Sequence, residues 1–332
     1  EPIIAKAGRK LGLDQVAIRR INCPEGKAEF GPAVKGVRAH ATSAFLKEAL
    51  DRGAEQFKWK ERIERRPKRI GSKVRGIGVS LSCYVGGTIG FDGLLVITPE
   101  GRVRFQSGIG NLGTESVMDV HRVGAEILGV PWGKCDVIWG DTSKNFPYTC
   151  VSGGSQTTHA MTRASFAAAM DAKSKLQQIA AKTLGGKPES FEVGGQRVYR
   201  KGGGAGLTLA QAAQHAIRLG GIYDGHEAPA DVNKVTKASV AALAGQGLVG
   251  VARDNYPRDG ATHSYVASFA EVEVDVETGH YYIVDFLAYA DVGSVIHPNA
   301  LGGQILGRST LGIGHAIGQK WVFDPHYGIM VS

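Results

Sequence analysis

The chain has 332 residues but only four cysteines, and no two of them form a Cys-x-x-Cys pair. Cys23, Cys83, Cys135 and Cys150 lie far apart in the sequence. This spacing argues against a zinc or iron–sulfur cluster held by this chain alone, and against a disulfide framework. Reduced thiols, as in a cytoplasmic protein, are therefore expected.

Long apolar runs, a disorder-type composition and collagen-type repeats are also absent. No stretch of about 18 apolar residues predicts a membrane span, and no signal-peptide pattern opens the chain. Hydrophobic residues make up 43% of the chain and charged residues 21%, a balance that excludes a disordered chain. The 47 glycines follow no three-residue period, which excludes a collagen helix.

Positive charge is in moderate excess and is unevenly placed. Lys and Arg number 39 against 31 Asp and Glu, and much of the excess lies in residues 60–75 (KERIERRPKRIGSKVR), around Pro67. Such a patch can bind the phosphates of a nucleic acid. However, it lacks aromatic residues for base stacking, and Glu61 and Glu64 interrupt it. We therefore expect a solvated helix end and linker, with no nucleic-acid partner.

The spacing of apolar residues predicts an α+β fold. Within 1–21 we predict a helix that ends at Gly12 and then a short second turn. Further helices are predicted at 40–59, 114–128, 155–183, 208–219 and 298–318, and strands at 76–84, 94–98, 102–107, 135–139, 265–276 and 281–291. A hairpin followed by a helix thus occurs twice, at about 75–128 and 265–318, which indicates a duplicated unit.

Four segments are expected along the chain. They are a helical end of a first lobe with the basic linker (1–74), a hairpin–helix unit (75–185), a Gly-rich insertion with a helix (186–262) and a second, truncated hairpin–helix unit (263–332).

The sequence Gly108-Ile-Gly110-Asn-Leu-Gly113 precedes a predicted helix and matches the Gly-x-Gly-x-x-Gly pattern of dinucleotide-binding proteins. The preceding strand, 102–107, is amphipathic, whereas a first Rossmann strand is apolar throughout. No second parallel strand ending in an acid is expected about 20 residues later. We favour a more general role, in which glycines and a helix N-terminus contact an anionic ligand. An NAD(P)-binding dehydrogenase stays an alternative.

Hydroxyl groups and glycines crowd residues 149–158 (TCVSGGSQTT), just before the long Ala-rich helix. Ser155, Thr157 and Thr158 lie at its predicted start, where hydroxyls and free amides suit a phosphate or a polar ring system. Simple N-capping would need only one such residue, whereas five hydroxyl residues occur in these ten positions. Ligand contact is therefore favoured.

A third cluster, residues 290–304, combines Asp291-Val-Gly293, His297-Pro298 and Gly303-Gln304. His297 could act as a general base or as a ligand, but a role in the turn before the helix is favoured.

In order and spacing, these motifs resemble the molybdopterin-binding large subunit of the xanthine oxidase and aldehyde oxidoreductase family. The matching stretches are Gly108–Thr114, Leu128–Pro131, Gly140–Thr142, Gly153–Thr158, Glu271–Gly279, Asp291–Gly293, His297–Pro298 and Gly303–Gln304. The resemblance implies hairpin–helix units in two lobes around the cofactor, with segment 75–185 binding it. It covers nearly the whole chain, as an incomplete, C-terminal-side portion of the cofactor-binding region.

The resemblance also implies an activity. Members of this family bind molybdenum through molybdopterin, often as the cytosine dinucleotide. They hydroxylate an aldehyde or N-heteroaromatic substrate with oxygen from water. Electrons then pass to iron–sulfur clusters on another domain or subunit and on to FAD or another acceptor. The implied cofactor-binding residues are Gly108, Gly110, Asn111, Gly153, Gly154, Ser155, Gln156, Thr157, Thr158 and Gln304. Asn111 stands where the family has Gln.

Several family features are missing from this chain. It contains neither the family's early Gly-Gly-Lys-type loop and Arg-containing loop nor the Gly-x-Gly-Glu motif that carries the catalytic base. The base is expected beyond Ser332, so no catalytic residue and no metal ligand is assigned here. The chain begins at Glu1 without Met, and a processed subunit or a portion of a longer one is expected.

We expect no turnover by this chain alone. The remainder of the molybdenum subunit, an iron–sulfur subunit and an FAD subunit are the expected partners, with a small-molecule substrate. A non-catalytic structural subunit is a further alternative.

Overall fold

The computed structural model describes residues 1–65, 69–87, 89–149 and 151–331. Pro67, Cys150 and Ser332, which the sequence analysis names, lie outside the described residues. The chain forms two compact units. We call Gly86–Pro257 the central unit, and Glu1–Val85 together with Arg258–Ser332 the split unit.

The split unit contains five of the described helices and five of the described strands. Its helices are α1 (Pro2–Lys10), α2 (Gln15–Ile21), α3 (Leu46–Gln56), α4 (Trp59–Glu64) and α10 (Pro298–Ile317). Its strands are β1 (Glu29–Val34), β2 (Val37–His40), β3 (Lys73–Val85), β11 (His263–Asp275) and β12 (Tyr281–Asp291).

The main sheet of the split unit has the strand order β12-β11-β3, and both strand pairs are antiparallel. Helices α3 and α4 bring apolar side chains onto it, and Phe57 stacks on Phe269 with ring centroids 5.5 Å apart. Gly53 permits this approach, because a Cβ there would lie 2.5 Å from a ring carbon of Phe269. The pairing of β3 with β11 joins two stretches of sequence far apart in the chain.

The basic stretch faces acidic side chains of β11 and β12. Arg62 pairs with both Glu271 and Asp285. Arg75 Nε lies 2.9 Å from Glu273 Oε2, and Lys73 Nζ lies 3.2 Å from Glu273 Oε1. The cations that the sequence analysis placed on a solvated linker are thus partly neutralised within the unit.

The central unit contains the remaining described elements. Its strands are β4 (Asp92–Ile97), β5 (Val103–Gln106), β6 (Cys135–Ile138), β7 (Phe191–Gly194), β8 (Arg197–Arg200), β9 (Gly206–Thr208) and β10 (Leu248–Arg253). Its helices are α5 (Ser116–Asp119), α6 (Arg122–Ile127), α7 (Thr157–Leu184), α8 (Leu209–Leu219) and α9 (Lys234–Ala242).

The long helix α7 packs closely on the sheet β10-β4-β5-β6. Small residues make this possible. A Cβ at Gly93 would lie 2.7 Å from the carbonyl carbon of Ala164, and one at Gly250 would lie 2.7 Å from the carbonyl oxygen of Ala168. The buried alanines of α7 lie beside Leu176 and Ile179, which are fully buried in the main core cluster. Close helix–sheet approach therefore explains the Ala-rich sequence of this helix.

Strand β10 lies at the edge of this sheet, and α7 satisfies part of its free backbone. Lys175 Nζ donates to Val249 O at 2.8 Å, and Asp171 Oδ2 accepts from Val251 N at 2.9 Å. The two side chains also pair with each other at 2.6 Å. This covers an edge that would otherwise expose unpaired groups.

The mixed α+β fold is confirmed, and the predicted strands and long helices are present with shifted ends. The predicted helix 114–128 is instead two short helices, α5 and α6, with Glu115 before them at φ +51°. Strands β5 and β6 are both present, and they pair in parallel, a pairing that the sequence analysis did not predict. The division into four segments stays a prediction, whereas the two units group β3 with β11.

Helix α8 begins as predicted at Thr208, whose hydroxyl oxygen accepts from Gln211 N at 3.2 Å in a capping box. Over the described residues, no helix combines the length and apolar character that a bilayer crossing needs.

Candidate functional site

The structure attaches one predicted ligand-binding stretch, and the helix that follows another, to one small core of the central unit. We call residues 108–113 the glycine loop and residues 151–158 the hydroxyl loop. Ile109 of the glycine loop is 4% exposed and shares a core cluster with Ala160 and Met161, in the first turns of α7. The glycine loop and the start of α7 are therefore anchored side by side.

The glycine loop combines one tightly packed glycine with open space. A Cβ at Gly108 would lie 2.7 Å from Pro147 O and 3.0 Å from Thr149 Oγ1. At Gly110 no atom lies within 4 Å of such a Cβ. Gly113 has φ +84°, a conformation that favours glycine. Close packing at Gly108 therefore holds the loop in place, while the backbone at Gly110 is open to contact with a ligand.

Asn111 holds the glycine loop in shape with one end of its side chain. Its Oδ1 accepts from Gly113 N at 3.0 Å and from Glu115 N at 3.2 Å. The residue is exposed, and its Nδ2 amino group is the remaining donor. Asn111 can thus order the loop and contact a ligand at the same time.

The start of α7 has no side-chain cap. Its N-cap is Gln156, and no side-chain hydrogen bond closes the first turn among the described residues. Gln156 Nε2 instead donates to Val151 O, and Ser155 has φ +55°. The first turn carries the hydroxyls of Thr157 and Thr158, and Thr158 is exposed. The capping role that would have explained these hydroxyls is not observed, and the positive end of the helix dipole faces outward.

A third segment, residues 86–87 and 89–91, borders the hydroxyl loop at Gly87, although the sequence analysis did not single it out. Gly87 N donates to Ser155 O at 3.1 Å, and a Cβ at Gly87 would lie 2.5 Å from His159 Nδ1. Gly87 has φ +83°. The signal in the sequence was the glycine pair 86–87 directly after a strand, which marks a close backbone approach.

A buried carboxylate ties this segment to α7. Arg163 Nε donates to Asp254 Oδ2 at 2.7 Å, and its Nη2 donates to Asp254 Oδ1 at 3.0 Å. Asp254 is 1% exposed, and its N donates to Phe91 O at 2.9 Å. Bidentate pairs of this kind fix geometry as well as charge, so Arg163 of α7 is held in a fixed position relative to Phe91.

Residues of the third predicted cluster belong to the split unit. Gln304 lies within α10 and is half-buried. His297 is the N-cap of α10, and its Nδ1 accepts from Ala300 N at 3.2 Å, in line with the turn role that the sequence favours. The assignment of Gln304 to the cofactor rests on the sequence resemblance alone.

The pKa values of two groups in the central unit, His121 and Cys135, are shifted mainly by burial. Burial lowers the pKa of His121 to about 3 and raises the pKa of the Cys135 thiol to about 11. Within the described residues, no three His, Cys, Asp or Glu side chains are grouped as a metal site. The glycine loop and the hydroxyl loop themselves are rich in neutral donors and glycines.

A family model and several known proteins match this chain. The family model described as "Molybdopterin cofactor-binding domain" matches residues 52–332. The aldehyde oxidoreductase molybdenum-binding subunit PaoC of Escherichia coli O157:H7 is 26% identical over 334 residues, which cover 100% of this chain and 40% of that protein. The 6-hydroxypseudooxynicotine dehydrogenase complex subunit gamma of Paenarthrobacter nicotinovorans is 25% identical, over 98% of this chain and 39% of its own length.

Solved structures share the fold. Reconstituted CO dehydrogenase from Oligotropha carboxidovorans superposes with a TM-score of 0.73 at 22% identity, over 100% of this chain and 40% of that one. Quinoline 2-oxidoreductase from Pseudomonas putida 86 gives a TM-score of 0.74 at 21% identity, over 99% of this chain and 41% of that one. The chain therefore spans about two fifths of the length of these relatives.

Proposed function

The chain belongs to the molybdopterin cofactor-binding domain family, and from this premise we propose that its glycine loop and hydroxyl loop hold the pterin and phosphate groups of the cofactor. The observation that carries the proposal is the shared core cluster of Ile109, in the glycine loop, with Ala160 and Met161, in the helix that follows the hydroxyl loop. This cluster supports a common site for donors from two separate stretches of sequence.

The donor set suits this cofactor chemically. A phosphate is an anion that accepts several hydrogen bonds, and an uncapped helix N-terminus supplies both N–H donors and a favourable dipole. Ser155, Thr157 and Thr158 add hydroxyls, and Asn111 Nδ2 adds an amide donor suited to a pterin ring. Gly110 and Gly153 leave open space where any side chain would intrude. Gly154 and Gln156 complete the proposed set, and Gln304 joins it on the resemblance alone.

We further propose that the chain works within a molybdenum hydroxylase. When bound, the cofactor supplies oxidation of an aldehyde or N-heteroaromatic carbon with oxygen from water. This chain binds and orients the cofactor, in the form of molybdopterin or its cytosine dinucleotide. We place the catalytic Glu beyond Ser332 and the electron-accepting iron–sulfur clusters and FAD on partner domains or subunits in the cytoplasm. We accordingly propose that the chain alone does not turn over substrate.

A double substitution at the start of α7 tests cofactor binding. In the intact complex, Thr157→Val with Thr158→Val removes two hydroxyls with little change in shape. We expect at least a tenfold loss of molybdenum and pterin retained through dialysis, since each hydrogen bond to a charged group contributes about 1.5–3 kcal/mol. Thr183→Val, in the last turn of the same helix, is the matched control and should retain both. Equal retention by all three proteins would refute the proposal.

One feature of the structure also fits the alternative hypothesis of a dinucleotide-binding dehydrogenase. Strand β5, the glycine loop, the two short helices and the parallel strand β6 form a crossover like that of a nucleotide-binding protein. Asp141, which follows β6, is engaged by Ser143, whose N and Oγ lie 2.9 and 2.7 Å from its Oδ1. Titration with NAD(P)H should show no binding, and saturable binding would favour a dehydrogenase. A complex without molybdenum or pterin would favour a structural subunit.

A further inference from the structure

Asp92, the first residue of β4, is a fully buried carboxylate outside the residues assigned to the cofactor. Its Oδ2 accepts from Thr236 Oγ1 at 2.6 Å and from Asn233 N at 2.7 Å. Its Oδ1 has no hydrogen-bond partner among the described residues. Burial raises the pKa of this carboxyl, against the opposing effect of the Thr236 and Asn233 hydrogen bonds. Burying a carboxylate costs free energy, and the contacts of Asp92 indicate a structural role that offsets this cost.

The hydrogen bonds of Asp92 and Thr236 converge on Tyr148. The Thr236 hydroxyl has one proton, which it donates to Asp92, so its oxygen is oriented to accept from Tyr148 N at 2.9 Å. Asp92 N donates to Tyr148 O at 3.0 Å. Both backbone polar groups of Tyr148 are therefore fixed by one buried network.

A second contact extends the hold on this segment. Ser239, in the same helix α9 as Thr236, donates from Oγ to Phe146 O at 2.6 Å. Residues 146–149 are thus attached to β4 and α9 at two carbonyls and one N–H. We call this the 146–149 segment.

The 146–149 segment forms the support behind the glycine loop. The hypothetical Cβ at Gly108 would be blocked by Pro147 O and by Thr149 Oγ1, and Thr149 is 4% exposed. Because only glycine fits there, the position of the 146–149 segment decides where the glycine loop lies. A shift of this support by a few tenths of an ångström would move the loop with it.

We propose that Asp92 is a positioning residue, which acts through Thr236 and the 146–149 segment to hold the glycine loop where the cofactor binds. The inference rests on the proposed function for the identity of the ligand. It adds residues from β4 and α9, more than 100 positions apart in sequence for the pair Asp92 and Thr236, that the resemblance does not assign.

Hydrogen exchange of the intact complex tests the network, with cofactor retention as a second readout. Thr236→Val removes the hydroxyl and breaks the link between Asp92 and Tyr148. We expect about tenfold faster exchange of amides in the 146–149 segment and glycine loop, the equivalent of one lost hydrogen bond, and faster loss of molybdenum and pterin. Thr236→Ser keeps the hydroxyl and should restore both. Thr98→Val, a buried threonine beyond the other end of β4, should change neither.

The outcomes separate this inference from the proposed function. Unchanged exchange in the glycine loop, or faster exchange with normal cofactor retention, would overturn the inference and leave the proposed function standing. A wild-type complex with neither molybdenum nor pterin would overturn both. If Thr236→Val fails to fold, Ser239→Ala breaks only the bond to Phe146 O. It should give a smaller increase in exchange of the same amides, and no increase would overturn the inference.

Discussion

The central unit and the split unit bury their apolar side chains to very different degrees. In α7 of the central unit, Leu176 and Ile179 are fully buried. In α10 of the split unit, every residue of which is described, none is buried. Leu306 and Ile317 there are 70% and 58% exposed. Apolar packing on α7 thus stabilises the central unit, whereas the split unit combines the apolar cluster around Phe57 and Phe269 with charge pairs between β3 and β11.

This difference in packing indicates which contacts keep the proposed site in a fixed shape. Ile109 of the glycine loop packs with Ala160 and Met161 of α7, the helix that follows the hydroxyl loop, inside the well-packed unit. Densely packed interiors resist deformation, so loops anchored there keep their shape. Substitutions that loosen α7 should therefore disturb the proposed site, whereas substitutions of the charged residues that pair with β11 and β12 should leave it intact.

Gly93→Ala should give the largest effect, because the new methyl group would collide with helix backbone. The substituted Cβ would lie 2.7 Å from the Ala164 carbonyl carbon and 2.9 Å from Ala168 Cβ. Since α7 cannot shift without opening the core, we expect a loss of about 3 kcal/mol in the free energy of unfolding. Urea unfolding followed by circular dichroism measures this loss.

Two other glycines sharpen the comparison. Gly133→Ala meets nothing within 4 Å and should cost little. Gly53→Ala, in the split unit, would place its Cβ 2.5 Å from a ring carbon of Phe269. A side-chain ring can yield where backbone cannot, so its cost should fall between the other two. A cost for Gly53→Ala equal to that of Gly93→Ala would contradict the packing difference between the units.

Lys175→Met should have the next largest effect. Lys175 is 4% exposed. Its replacement removes the hydrogen-bond donor to Val249 O and the ion-pair partner of Asp171. Breaking a buried pair costs about 3 kcal/mol or more. Because Asp171 is 26% exposed, we expect about 2 kcal/mol here, with faster amide exchange along β10. Lys73→Met, at a 55% exposed partner of Glu273, is the control and should change stability far less.

Much of the fold could be predicted from the sequence where the signal is local. The Ala-rich run predicted helix 155–183, which is observed as Thr157–Leu184. The alternation at 265–276 and 281–291 predicted the β11–β12 hairpin. The helix predicted at 208–219 is observed as Leu209–Leu219, with Thr208 as its N-cap. In each case the residues that determine the element lie within it.

Features that depend on distant partners escaped prediction. Alternation at β3 could not reveal that its partner is β11 rather than β4. The periodicity of 114–128 did not show the break between α5 and α6, where His121 is buried against Phe105. The contact of Gly87 with His159 likewise needed three-dimensional proximity. The cofactor-binding residues stay predictions, since the glycine and hydroxyl patterns indicate a ligand but only the family resemblance identifies it as the cofactor.

His121 makes the stability of the central unit depend on pH. Burial lowers its pKa to about 3 from 6.5, and its Nε2 is buried without a partner among the described residues. Below about pH 6.5, His121 therefore binds a proton in the unfolded chain but not in the folded chain. The free energy of unfolding consequently falls as the pH drops toward 3. The slope approaches about 1.4 kcal/mol per pH unit, which gives about 2 kcal/mol between pH 6.5 and pH 5.

Urea unfolding at pH 7, 6 and 5 measures this slope, with amide exchange assigning it to the central unit. His121→Gln, which does not titrate, should flatten the dependence. A slope that is the same in the variant, or that lies in the split unit, would show that other groups control it.

Arg62→Met should have the smallest effect and should be the most sensitive to salt. Arg62 pairs with Glu271 and Asp285 and lies 4.1 Å from the ring centre of Phe57. Its side chain is 21% exposed, and Met keeps the contact with the ring, so only the charge pairing is lost. We expect about 1 kcal/mol at low salt, shrinking in 1 M NaCl as screening weakens the wild-type pairs. A salt-independent loss above 3 kcal/mol would mean that buried packing, and not charge pairing, stabilises the split unit.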